Sequence, residues 1–363
     1  MTKKLLLRPE HFTPSFPEWK IDGVLNPSAV RLPNEKVVLF VRVMESPFAH
    51  TDDTLHCPVI ISKEEYKATS EAVGKGEIAT RDRNVIYLRN GTCRLMNISH
   101  FRKVVLSKDG FEIEHISNSP DFTGTPDDGD YGIEDPRIVK IGKRYVMTYV
   151  SVSRKEGVSS SLAISNDLKK WERKGVIFQE QNKDAVIFPE KIGGMYVALN
   201  RPEVFYEFHR PAIWISYSPD LIYWGREKSL LLPRGKSWES ERLGAGPPPL
   251  KTDKGWLLLY HGVKKTKNAF DGGDIYTYSV GGTLLDIKNP ERVIARSSKR
   301  RPLFSAIKEY ERMLGENKRV VFPTGMIYDI DKRYLLIYSG AGDRFVSVQR
   351  ILLKDILSQL ERC

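Results

Sequence analysis

One pattern recurs along this chain and limits its fold more than any other feature. A proline opens a short strand, a charged or glycine-containing turn follows, and an aromatic or aliphatic strand answers it. The pattern reads NPSAVRLPNEKVVLFV from residue 26, DPRIVKIGKRYVMTYV from 135, FPEKIGGMYVALN from 188, GPPPLKTDKGWLLLYH from 246 and FPTGMIYDIDKRYLLIYS from 322. Each apolar run has the length and the Val, Ile, Tyr and Trp content of a strand. A second hairpin also recurs: SLAISNDLKKWERKG (161–175) and AIWISYSPDLIYWG (212–225) share Ser-x-Asp-Leu-x-x-Trp. Two hairpins per repeat make about four strands, the content of a propeller blade. The expected fold is therefore all-β: a five-bladed β-propeller with a few short peripheral helices, in a single domain over 1–363. The competing reading is a β-sandwich with chance similarity between its proline-led strands.

The spacing of the repeats is uneven. About 109 residues separate the first two anchors, against about 53–76 for the others. Segment 47–100 is thus expected to be an enlarged loop or insertion. Helical signals are few: 303–315, around AIKEYERML, and the C-terminal segment 349–363.

Composition excludes several classes. Hydrophobic residues are 40% and charged residues 28% of the 363, a globular balance. No apolar run approaches the roughly 18 residues of a membrane span. The start, MTKKLLLRPEHF, is too short in apolar residues for a secretory leader, so a cytoplasmic protein is expected. Cys57, Cys93 and Cys363 form neither a disulfide framework nor a Cys-x-x-Cys site. His50 and His56 flank an aspartate pair, but there is no HExxH spacing and no metal is expected. Phosphate-loop and GxSxG motifs are likewise missing. Net charge is +11, which fits nucleic acid, a membrane surface or a small anionic substrate. The basic runs 263–267 and 297–302 are short and read as solvated loops, with no RNP or zinc-finger motif beside them. Neither nucleic acid nor membrane is expected as a partner.

The polar residues beside the repeat anchors are where chemistry can reside. In a propeller the innermost strands surround a central channel, so equivalent positions of different repeats converge there. Asn26, the pair Glu134-Asp135, the pair Lys183-Asp184, the Gly244-Ala245-Gly246 turn and Asp343 all occupy such places. An aspartate ahead of Pro136 and Arg137 can serve as a general acid if burial raises its pKa, or merely cap a turn. Arg201, Arg242 and His261 each have an ordinary structural explanation taken alone. With Lys183 they make up to four cationic or donor groups at equivalent places. Such a cluster repels itself unless an anion sits there, and phosphate suits Arg and Lys donors.

The chain resembles the β-mannoside phosphorylases of glycoside hydrolase family 130. The resemblance runs from about Asn26 to about Asp343. It rests on IEDPR (133–137), NKDAVIFPEK (182–191), the Arg-Pro step at 201–202, PAIWISYSPDLIYWG (211–225), RLGAGPPPLKT (242–252), WLLLYHGV (256–263), VVFPTG (320–325) and YSGAGD (338–343). These enzymes are five-bladed propellers. The resemblance implies that Asp135 is the general acid and that Lys183, Arg201, Arg242 and His261 hold phosphate. It also implies that Asn26, Arg42 and Asp343 hold the mannosyl residue, and Glu134, Arg137 and Asp184 are expected as further sugar contacts. The chain departs from many members at two places, Lys183-Asp184 for an Arg-Asn pair and Arg242 for a Lys, and from some members at Asn200, where they have His. Donor character survives at all four phosphate positions, unlike in the family's hydrolase branch. Lys183-Asp184, ISH at 98–100 and the long early insertion look most like the branch acting on β-1,2-linked oligomannosides.

The expected function is inverting, reversible phosphorolysis of terminal β-linked mannose to α-mannose 1-phosphate, with inorganic phosphate as co-substrate and no cofactor. The alternatives are a β-mannosidase of the same family and a non-catalytic carbohydrate-binding propeller. Loops 47–100 and 264–276 are expected to choose the acceptor. A homo-oligomer stays open.

Overall fold

The computed structural model describes residues 2–48, 53–82, 84–203, 208–268, 272–313 and 318–363, so His50 lies outside the described residues. Among the described residues the regular structure is almost all strand, with one α-helix, Leu353–Leu357, and three short 3-10 turns. No helix among them is long and apolar enough to cross a membrane.

Five sheets of four or more strands form, each built chiefly from antiparallel neighbours in chain order. The first has Trp19–Arg31, Val37–Pro47, Ile98–Leu106 and Ile113–Ile116. The second has Ile133–Ile141, Arg144–Ser153, Gly157–Ser165 and Glu172–Phe178. The third has Asn182–Ile187, Tyr196–Pro202, Ile213–Ser218 and Gly225–Leu231. The fourth centres on Arg242–Ala245, Gly255–Lys267, Asp274–Leu285 and Val293–Ser297. The fifth has Val321–Tyr328, Tyr334–Ala341 and Phe345–Leu352, and Thr2–Leu7 from the other end of the chain completes it.

The leading strands of the first four sheets touch in succession. Trp19–Arg31 contacts Ile133–Ile141, which contacts Asn182–Ile187, which contacts Arg242–Ala245. Strands Gly255–Lys267 and Asp274–Leu285 of the fourth sheet meet Val321–Tyr328, and that strand returns to Trp19–Arg31. Apolar clusters fill the spaces between neighbouring sheets. Leu6, Leu7, Val24, Leu39, Val41, Leu336, Tyr338 and Val346 join the first sheet to the fifth.

The leading strands share a device that shapes the site. Pairing slips after Leu25, after Glu134 and after Lys183, where two residues face one on the partner strand. The first residue of each bulge has a left-handed backbone: Asn26 at φ 46°, Asp135 at φ 54° and Asp184 at φ 55°. Asn and Asp tolerate this conformation better than other side-chain-bearing residues, and a bulge re-aims the side chain it carries. The proline therefore marks different points in different repeats. Pro27 and Pro136 follow the bulge residue. The third bulge has Ala185 in that place, and its Pro189 lies beyond the strand, while Pro247–Pro249 separate Arg242–Ala245 from Leu250–Thr252.

The second repeated motif is a turn between the third and fourth strands of two sheets. The Asp167 carboxylate accepts from the N–H groups of Lys169 and Lys170, and Asp220 accepts from Ile222 and Tyr223. Ser165 and Ser218 accept from the N–H of Leu168 and Leu221, whose side chains are buried. This is local Asx and Ser turn chemistry, legible from the residue types alone.

Of segment 47–100, residues 98–100 belong to the third strand of the first sheet, and the part between Pro47 and Ile98 is an insertion between the second and third strands. It forms the hairpin Thr54–Ile60 with Ala68–Gly74 and a three-stranded sheet of Ile78–Asp82, Val85–Leu88 and Cys93–Leu95. Its small core contains Cys57, Val73, Ile86, Leu88 and Met96. Arg154 of the second sheet pins it through Glu71 at 3.2 Å, while also holding Asp130 at 2.7 Å.

The helix expected over 303–315 does not form. Phe304–Ser305 pairs with Asp274–Leu285, and Glu309–Glu311 makes one 3-10 turn; residues 314–315 lie outside the described residues. The Glu311 carboxylate is buried, accepts from the N–H groups of Ile307 and Lys308 and pairs with Lys3. Edge pairing and this buried carboxylate satisfy the backbone that a helix would have satisfied itself. The C-terminal segment is helical only over Leu353–Leu357; Leu360–Arg362 then adds a strand beside Val293–Ser297.

Candidate active site

Where the leading strands converge lies a cavity of about 280 Å³. Its wall includes Asn26, Arg42, Glu134, Asp135, Lys183, Asp184, Arg201, Arg242, His261 and Asp343. Ten of the eleven residues singled out from the sequence are therefore brought together from all five sheets. Arg137 is the exception. It is 2% exposed, its Nε donates to the Gly246 carbonyl at 2.7 Å, and its Nη1 donates to the Asp135 carbonyl at 2.9 Å. The bulge at Asp135 turns Arg137 beneath the cavity, where it braces backbone.

Asp135 sits on one side. Its Oδ1 accepts from Asn26 Nδ2 at 2.8 Å and Arg42 Nη1 at 3.1 Å; among the described residues no such bond ends on Oδ2. Arg42 also holds Glu134 at 2.7 Å and Ser99 at 3.0 Å. Burial works against the Arg42 charge, but Glu134 and Asp135 outweigh it and raise its pKa. Gly340 makes room for Asn26: a Cβ there would lie 2.0 Å from Asn26 Oδ1. Asp343 enters through the three-residue loop 342–344, in which it and Gly342 both have positive φ, 49° and 58°, and the Arg344 N–H donates to the Ala341 carbonyl at 3.2 Å.

A second group of wall residues centres on Asp184. Arg201 Nε donates to Asp184 Oδ2 at 2.7 Å, and Arg137 Nη2 is 3.7 Å from Asp184 Oδ1. Burial works to raise the Asp184 pKa, but Arg201 and Arg137 prevail and hold it at about 2. His261 Nε2 is 3.6 Å from Asp184 Oδ2, and its Nδ1 is buried without a hydrogen-bond partner. Burial, followed by Arg201, Arg242 and Arg137, pushes His261 down to about 3 against the pull of Asp184, so the imidazole is neutral near pH 7. Gly244 is required by close approach, since a Cβ there would meet Asp184 Oδ2 at 2.1 Å and His261 Cε1 at 2.2 Å. Arg242 donates to the Tyr278 hydroxyl at 3.1 Å, and Lys183 is 3.8 Å from Glu134.

The wall also holds residues that the sequence reading missed: Leu25, Met44, Asn84, Glu203, Tyr278 and Phe322. Glu203 pairs with Arg201 Nη1. It lies two residues beyond Arg201 in extended chain, so same-face periodicity could have flagged it. Asn84 comes from the insertion and Tyr278 from the strand beside His261; nothing local marks either one.

The electrostatics differ from the expected self-repelling cluster. Four cationic wall residues (Arg42, Lys183, Arg201 and Arg242) face five acidic ones (Glu134, Asp135, Asp184, Glu203 and Asp343). Interleaved carboxylates balance the cations, and the cluster holds together without an external anion.

Comparison with known proteins places the chain in a family. The model of glycoside hydrolase family 130, described as β-1,4-mannooligosaccharide phosphorylase, matches residues 96–362. The chain is 31% identical to the β-1,2-mannobiose phosphorylase of Listeria innocua over 360 residues, 98% of this chain and 96% of that one. It is 38% identical to a 1,2-β-oligomannan phosphorylase of a Thermoanaerobacter species over 253 residues, 69% of this chain and 78% of that one. The solved Listeria β-1,2-mannobiose phosphorylase, in complex with β-1,2-mannobiose, superposes with a TM-score of 0.85 at 29% identity and 99% coverage of both chains. The nearly all-β fold thus has a counterpart matched over almost the whole chain, and the chain belongs to glycoside hydrolase family 130.

Proposed function

We propose that this protein is an inverting β-mannoside phosphorylase that uses inorganic phosphate and prefers β-1,2-linked mannobiose or oligomannosides. The observation that carries the reading is one cavity whose wall gathers Asp135, held by Asn26 and Arg42, with Lys183, Arg201, Arg242 and a neutral His261. The five sheets in cyclic contact are read as the blades of a propeller, with the cavity at its axis. The β-1,2 preference follows the Listeria and Thermoanaerobacter relatives, and a cytoplasmic location is part of the same reading.

The chemistry follows from the layout. Asn26, Arg42 and Asp343 hold the terminal mannosyl residue. Phosphate, held by the cations, attacks the anomeric carbon from the face opposite the leaving sugar. The glycosidic C–O bond breaks as the new C–O bond to phosphate forms. Asp135, with Oδ1 fixed by Asn26 and Arg42, delivers a proton from Oδ2 to the leaving oxygen, directly or through a substrate hydroxyl. The products are α-mannose 1-phosphate and the shortened chain, and the step runs in both directions.

An inverting hydrolase needs a second carboxylate to activate water. Here Glu134 is paired with Arg42, Asp184 with Arg201, and Glu203 with Arg201. Asp184, held at about 2, is a weak base, and guanidinium contacts occupy the Glu134 and Glu203 carboxylates, which favours phosphate as the nucleophile. The test is incubation with β-1,2-mannobiose with and without phosphate. Mannose 1-phosphate is expected only with phosphate; equal release of free mannose in both would overturn the reading. Asp135→Asn should lower phosphorolysis by on the order of 10²-fold or more, the scale of losing a general acid.

A further inference from the structure

We propose that Glu203 makes the anion site select a protonated oxyanion, and so phosphate over sulfate. This inference rests on the phosphate reading above and concerns a residue which that reading does not use.

Glu203 shares the Arg201 guanidinium with another carboxylate. Arg201 already has a buried carboxylate partner, Asp184, 2.7 Å from its Nε. Glu203 approaches the same guanidinium at Nη1, lines the cavity, and keeps 27% of its side chain exposed. Its backbone N–H donates to the Gln181 carbonyl at 2.8 Å, which fixes where the side chain starts. A second carboxylate therefore stands on the guanidinium that would bind the incoming anion.

Such a placement penalises most anions. An ionised carboxylate accepts hydrogen bonds and donates none. Beside a fully deprotonated oxyanion it sets lone pair against lone pair and like charge against like charge. Inorganic phosphate near neutral pH keeps at least one P–OH group, which can donate to Glu203 while the other oxygens accept from Arg201 and its neighbours. Sulfate has no proton to donate. One carboxylate thus rejects the competitor through an unfavourable contact and accepts phosphate through a favourable one, which is how specificity exceeds affinity.

The experiment measures sulfate inhibition against varied phosphate in phosphorolysis of β-1,2-mannobiose, for the wild type and Glu203→Gln. The amide can donate to sulfate. The ratio of the sulfate Ki to the phosphate KM is expected to fall roughly ten-fold or more in Glu203→Gln, the reach of one charged hydrogen bond. Arsenate, which keeps an As–OH, should serve both proteins. Glu203→Asp retains the carboxylate and should retain discrimination, so it replaces the amide variant if that one does not fold. An unchanged ratio in Glu203→Gln overturns the proposal, as does a wild type that sulfate blocks as readily as phosphate binds. Absence of any phosphate-dependent product would instead remove the phosphorylase reading, so the two failures are separable.

Discussion

At the scale of single residues, the cavity depends on side chains that are absent as much as on those present. Gly244 lets Asp184 and His261 come together, and an added methyl would fall 2.1 and 2.2 Å from their atoms. Gly244→Ala should leave the fold intact by circular dichroism but lower phosphorolysis by about 10²-fold, because displacing a binding group by an ångström costs that much. The buried titratable pair also predicts a pH dependence of stability. His261 is held near 3 in the fold against an unfolded value of 6.5, so below 6.5 the unfolded chain binds a proton that the native state refuses. Stability from this group is complete above 6.5 and falls as pH drops toward 3, by roughly 3 kcal/mol between pH 6.5 and 4. Asp184, depressed to about 2, adds a loss only below its unfolded value of 3.8. Urea unfolding at pH 7 and pH 4 should therefore show a shallower pH slope in His261→Gln than in the wild type; parallel slopes would contradict the argument. Most of these residues were legible beforehand, because their motifs are local. Arg137 stays out of the cavity wall because Asp135, Pro136 and Arg137 do not alternate as in a regular strand: the bulge consumes one step.

At the scale of elements, the insertion is where substrate preference is expected to be decided. The tip between Ile78–Asp82 and Val85–Leu88 places Asn84 in the cavity wall, beside Met44 of the first sheet. A second cavity of about 310 Å³ shares Met44, Asn84 and Asp343 with the first, so the two adjoin at these residues. Asn84→Ala should raise the KM for β-1,2-mannobiose by roughly 3- to 10-fold, the effect of one polar contact, and leave the KM for phosphate unchanged. Equal changes in both constants would place Asn84 in the scaffold instead. The segment 303–313 shows the opposite relation between sequence and element. Its residues suit a helix, yet the exposed edge of Asp274–Leu285 and the buried Glu311 carboxylate draw it into a strand and a turn. Tertiary pairing decided that segment, and propensity lost.

At the scale of the whole molecule, the two ends of the chain meet in one sheet. Thr2–Leu7 pairs with Phe345–Leu352, and Leu7 is fully buried in the cluster that joins the first and fifth sheets. Leu7→Ala should therefore cost about 2–5 kcal/mol in urea unfolding although it lies far from the cavity, with the phosphate KM unaltered. A cost under 1 kcal/mol would mean that this strand is an accessory. The sequence by itself determined the strands, the five recurring hairpins, the Ser-Asp-Leu turns and the family, because each rests on residues within a few positions of one another. It also named ten of the residues that line the cavity, three of which are the bulge residues Asn26, Asp135 and Asp184. The tertiary structure decided what those motifs could not carry: that Glu203, Asn84 and Tyr278 share the wall, that Arg137 does not, and that carboxylates balance the cations. The reason is distance along the chain. Contacts among Asn26, Asp135, Asp184, His261 and Asp343 exist only once five sheets have packed side by side, and no local pattern encodes which atoms then face one another.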